Sequence, residues 1–251
     1  SSIVFSLIGG FILDANFDRF PWILGCFGIA SLVAAAAISQ IPAPMPARER
    51  PRVFAAMRWL KKDAQFRWVI ISAMAMGIGV LSSGALRVDY VANERFGLEL
   101  SPNRVALLTT TLPAILRLAT TFFWGLLFDR MNFIVLRITL NVLFGLGLLC
   151  FFWTENFVVI AIGAALSGVA RGGGEIAWTL WVTKLAGPEH VGEYMSVHTF
   201  FTGLRGFAAP TLGFWLTGML SLHGMALFCV GCVVLAIGIL VPLVRTWKDL
   251  G

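Results

Sequence analysis

The sequence predicts an all-α membrane protein, a polytopic bundle of transmembrane helices with seven complete spans and one partial N-terminal span. Three observations predict it. Hydrophobic residues make up 58% of the 251 and charged residues 13%, against roughly 25% charged in a soluble domain, so the chain cannot clothe a water-facing surface. The apolar residues come in runs as long as the ~20 residues that a helix needs to cross a hydrocarbon core of ~30 Å. The runs lack the period-two alternation of barrel strands, and in lipid only helices then satisfy the backbone.

Residues 1–13 (SSIVFSLIGGFIL) are apolar but too short to span. They lack Met, a basic leader region and an A-x-A-like cleavage site, so they do not read as a signal peptide. They are expected to be the tail of a span that starts upstream. Complete spans are expected at 21–41, 68–87, 105–128, 133–153, 157–185, 194–220 and 224–244, each an apolar run with few charges. Between the first two of these lies a polar stretch with Pro42, Pro44, Pro46 and Pro51, holding seven of the 19 Lys and Arg residues (Arg48, Arg50, Arg52, Arg58, Lys61, Lys62 and Arg67). Val53, Phe54, Met57 and Leu60 share one helical face there, so the stretch reads either as an amphipathic helix on the leaflet or as a linker between two bundles. The expected division is 1–41 as the end of an N-terminal half, 42–67 as a basic linker and 68–251 as a six-helix C-terminal half.

A net charge of +6 invites a nucleic-acid reading, but the clustering in one loop between apolar runs points to anionic lipid instead. Counted by alternate loops, 12 Lys and Arg residues, Arg130, Arg137, Lys184, Arg245 and Lys248 among them, lie on the side of the linker, and Arg19, Arg87, Arg95 and Arg104 on the other. The richer side is expected to be cytoplasmic, with the C-terminus inside. The cysteines (Cys26, Cys150, Cys229 and Cys232) all sit in apolar runs and read as small hydrophobes. The sequence lacks G-x-S-x-G, H-E-x-x-H and any His/Asp/Glu cluster at metal-ligand spacing. No enzyme, metal or cofactor is expected.

The partial span Ser6–Leu13 (SLIGGFIL) and the segment Ala209–Leu216 (APTLGFWL) match loosely in letters and well in position, which suggests two related halves. After the third complete span stands Gly125-Leu126-Leu127-Phe128-Asp129-Arg130. With the span count and the basic loop, this resembles the major facilitator superfamily of secondary transporters (MFS), whose cytoplasmic turn reads roughly G-x-L-x-D-R-x-G-R-K. Asn132, Phe133 and Ile134 stand where the family pattern has Gly and two basic residues. The resemblance implies a gating role for Gly125, Asp129 and Arg130. It implies a chain running from late in the fifth to the end of the twelfth helix, the remaining N-terminal half of the protein being its partner. Gly203 to Gly206 with Pro210 and Gly213 resembles the family's eleventh helix.

Charges at mid-membrane depth usually face a cavity or a partner. At ~1.5 Å per residue, Arg117, Arg171 and Arg205 share one depth, on helices that the resemblance implies line a central cavity. Glu175 stands four residues after Arg171, where a local ion pair is easy. On one reading the arginines hold an anionic solute and Glu175 carries a coupling proton. On the other, Arg117 and Arg205 pair with acids of the missing helices, and Arg171 with Glu175 is a structural pair. Trp178 reads as a stacking platform or an interfacial anchor, and His198 as a proton relay or an interfacial histidine. The expected function is secondary transport of a small polar or anionic solute by alternating access, coupled to a proton or sodium co-substrate. The alternatives are a non-transporting regulator or remnant and, after it, an intramembrane enzyme.

Overall fold

The computed structural model describes residues 20–40, 54–93 and 98–247. The expected partial span at 1–13, the prolines of the linker and Arg48, Arg50 and Arg52 lie outside the described residues. Among those described, the long regular elements are helices: α1 (Phe20–Ser39), a short α2 (Arg58–Lys62), α3 (Ala64–Ala92), α4 (Pro102–Arg130), α5 (Phe133–Phe152), α6 (Phe157–Leu185), α7 (Val191–Thr217) and α8 (Leu222–Leu240).

Side chains at the helix starts explain several boundaries. Asp63 accepts a hydrogen bond from the Phe66 N–H, Asn132 from Ile134 and Val135, Asn156 from Val158 and Val159, and Ser221 from Gly224. Each satisfies an amide that the first turn leaves without a helical partner. Pro102 opens α4, where a missing N–H is harmless. A π turn at Leu107–Thr111 precedes Pro113, which cannot donate to the carbonyl four residues back.

Among the described residues, five helices are long and apolar enough to cross a membrane: α3, α4, α5, α6 and Leu222–Val244, which extends α8. The sequence predicts seven. α1 contributes a shorter apolar stretch, Leu24–Ser39. α7 has the length, but it carries His198, Arg205 and Pro210, and both His198 and Arg205 turn inward. These two inward-facing polar residues lower its hydropathy while they pack against neighbouring helices.

The principal packings join α5 to α6, α4 to α6, α3 to both α7 and α8, and α8 to α5. Two apolar clusters occupy opposite ends of the bundle. Phe66, Phe133, Trp181, Tyr194 and Trp247 mark the end beside α2, and Tyr90, Phe151, Phe152 and Met225 the other. Between them the core thins to Met76, Phe144, Ala170 and Ala236. Large apolar side chains such as Phe122, Phe207, Trp215 and Val234 point outward, as suits a bundle whose solvent is lipid. The glycines of α6 set helix spacing. A Cβ on Gly168 would lie 2.5 Å from the Pro113 carbonyl oxygen, and one on Gly173 would lie 2.6 Å from both Trp124 and Leu140. The run Gly172–Gly174 therefore lies within an unbroken helix and admits α4 and α5.

The linker end is clasped to α7. Arg58 Nη2 donates to both Glu193 carboxylate oxygens at 2.9 Å, Trp59 Nε1 donates to the same group, and Tyr194 Oη donates to Asp63 at 2.9 Å. The Trp59 hydrogen bond, then Arg58, hold the Glu193 carboxyl below its ordinary range.

Candidate functional site

α6 organises the polar residues of the bundle. Arg171, Glu175 and Trp178 recur at helical spacing along one stripe, and Trp181 follows three residues on. The stripe divides into an open part and a closed part.

In the open part, Arg117 Nη1 of α4 donates to Glu175 Oε1 at 2.7 Å, with the two side chains 33% and 58% exposed. Glu175 thus pairs across helices rather than with Arg171 on its own helix. The reason is local. Gly172 has no side chain, and a Cβ there would lie 2.9 Å from the Arg117 carbonyl, so α4 approaches closely enough for Arg117 to reach the acid. Arg171 is exposed on this face and within electrostatic range of both groups.

In the closed part, Arg205 is 9% exposed. Its Nη1 donates to the Ala73 carbonyl at 2.7 Å, and its guanidinium lies 4.3 Å from the Trp178 ring centre. It reaches Ala73 by crossing Gly77, where any Cβ would collide with its Cδ, Nε and Nη1. His198 is buried too, with its ring 4.1 Å from that of Trp178. Its Nδ1 accepts a hydrogen bond from Trp181 Nε1 at 3.2 Å, which puts the imidazole proton of the neutral ring on Nε2. His198 sits between the Trp178 and Trp181 indoles.

Two buried arginines that loop counting assigned to span ends belong inside the bundle. Arg137 lies under Trp178, its guanidinium 5.8 Å from the ring centre and its Nη2 3.7 Å from Met76 Sδ. Arg87 donates to Ser167 Oγ at 2.8 Å and stacks 4.9 Å over Phe151. A depth count would have found Arg137, four residues inside a span whose start at 133 the sequence already marks. A Cβ on Gly125 would lie 3.8 Å from Ile176 Cδ1, an ordinary contact, whereas Asp129 and Arg130 are exposed at the end of α4.

A many-spanned helical bundle with an apolar perimeter is an integral, multi-pass membrane protein. Residues 90–249, well over half of the chain, match the family model of the Major Facilitator Superfamily. The chain belongs to that superfamily. No curated protein matches it.

Proposed function

We propose that the protein is a secondary active transporter that moves a small polar or anionic solute by alternating access. The observation that carries this reading is the exposed Arg117–Glu175 pair with Arg171 beside it, where α4 meets α6. In the resting pair each charge stabilises the other. An incoming anion competes for Arg117 and Arg171, and a proton arriving on Glu175 releases Arg117 to hold the anion. Solute and proton binding are then linked through one ion pair. Sodium as the co-substrate fits the same acid. Arg205 and Trp178 stand behind this face as further solute contacts, and His198 as a second relay.

The basic linker divides an N-terminal half, of which 1–41 is the end, from the C-terminal half 68–251. The two halves rock about the solute, with Gly125, Asp129 and Arg130 at the cytoplasmic gate. Lys61 and Lys62 of α2 and Arg67 in the first turn of α3 support placing that end, with the C-terminus, in the cytoplasm against anionic lipid.

The test is gradient-driven uptake of a mixed library of small carboxylates, phosphates and neutral polar solutes by proteoliposomes holding the complete protein. Glu175→Gln should abolish dependence on the pH gradient while retaining solute exchange. Uptake of no solute by wild type rejects transport, and gradient-driven uptake unchanged in Glu175→Gln rejects this acid as the coupling site.

A further inference from the structure

The closed cluster of Arg137, Arg205, His198 and Trp178 has an imbalance of donors over acceptors. Two guanidinium groups share one indole ring. Among the described residues neither pairs with an acid. Glu175 is taken by Arg117, Glu193 by Arg58 and Asp63 by Tyr194. What the arginines do contact accepts weakly: a thioether, the faces of an aromatic ring, and the Ala73 carbonyl, which the α3 backbone ladder also uses.

Buried polar atoms are left without partners as well. Arg205 Nε and His198 Nε2 have no hydrogen-bond partner, nor do Nδ2 and Oδ1 of Asn141. Asn141 is fully buried one helical turn from Arg137, on the same side of α5. Unpaired polar groups in a dry interior are destabilising, and more so around unneutralised charge. One acceptor-rich anion would answer the Arg205 and His198 donors together.

We propose that Arg137, Arg205, His198 and Trp178 form a second oxyanion-binding subsite, distinct from the open Arg117–Arg171–Glu175 face, which takes a carboxylate or phosphate group of the solute. It deepens the anionic-solute reading above and rests on it. Gly77 is the positioning residue, because only a residue without a side chain lets Arg205 lie across α3 toward Trp178. A solute held at both faces carries an anionic group at one end, and its other end reaches the ion pair one to two turns away along α6. The class that fits is a small organic acid or phosphate ester rather than a neutral sugar.

The test uses the complete protein in lipid nanodiscs, titrated with acetate, succinate and inorganic phosphate at constant ionic strength. Binding is read by calorimetry and by tryptophan fluorescence, with Trp178→Phe locating the signal. At least one anion should bind saturably, about tenfold more weakly in Arg137→Gln, the loss of one charge-assisted contact. Gly77→Ala retains every charge and displaces only the Arg205 side chain, so it should weaken binding similarly and covers the case in which Arg137→Gln does not fold. No saturable binding of any of the three anions overturns the subsite, as does wild-type affinity in both variants. Uptake that depends on Arg117 and Glu175 while Arg137→Gln and Gly77→Ala bind as wild type removes the subsite and leaves transport standing. Binding of these anions without transport of any of them removes the transport reading and leaves the subsite.

Discussion

The open and closed parts of the α6 stripe use the same residue type and resolve its charge in opposite ways. Arg117 meets a carboxylate, is partly exposed, and can let go of its partner without stranding a buried charge. Arg205 and Arg137 meet sulfur, carbonyl and aromatic ring, are buried, and among the described residues pair with no acid. Coulomb attraction is weak where solvent screens it and strong where it does not, so the neutralised pair suits exchange and the unneutralised cluster suits capture. The distinction depends on two glycines, one under each part.

The largest expected effect follows from closing the gap under the open part. Gly172→Val places atoms against Thr120 and the Arg117 carbonyl, separates α4 from α6 and should destabilise by about 1–3 kcal/mol through overpacking. Thermal unfolding of the nanodisc-held protein measures this, and an unchanged midpoint would mean that α4 is not seated on α6 as described. Next comes Gly77→Ala, in which a flexible side chain rather than backbone must move. The loss of the Arg205 contact with Trp178 should amount to about 1 kcal/mol, with a change in Trp178 fluorescence that Arg205→Gln reproduces.

A smaller effect is expected from the half-exposed ion pair. A double-mutant cycle of Arg117→Gln and Glu175→Gln should return a coupling of about 0.5–1 kcal/mol in stability, with its main consequence in uptake. A coupling several times larger would place the pair in the same dry setting as Arg205 and erase the contrast. The smallest effect concerns the clasp of α2 on α7. Glu193 is held ionised by Trp59 and Arg58. The stability gained is complete above the ordinary glutamate pKa and is lost as pH falls through the lowered folded value. Acid should therefore release Trp59, and its fluorescence should shift with pH in wild type but not in Glu193→Gln.

Much of the bundle was legible before any coordinates. The expected span at 157–185 coincides with α6, and those at 133–153 and 105–128 fall within a few residues of α5 and α4, because helix length in lipid is fixed by the thickness to be crossed. α7 was legible as a run but not as a strongly apolar one, since it carries His198 and Arg205, which only neighbouring helices hide. The site was legible in part. A depth count found Arg117, Arg171 and Arg205, but assigning Arg137 and Arg87 to loops hid two buried cations at the ends of their spans.

What the sequence by itself determined is the solvent of the protein, its helical class, most span boundaries and its family, all of which depend on composition and on order along one dimension. Which charge meets which was decided only by tertiary structure. Glu175 has Arg171 four residues away and pairs instead with Arg117, 58 positions distant, because a missing side chain at Gly172 lets another helix come closer than the next turn of its own. Short-range spacing describes what a residue can reach along its helix, whereas the depth of a groove between helices sets what it does reach.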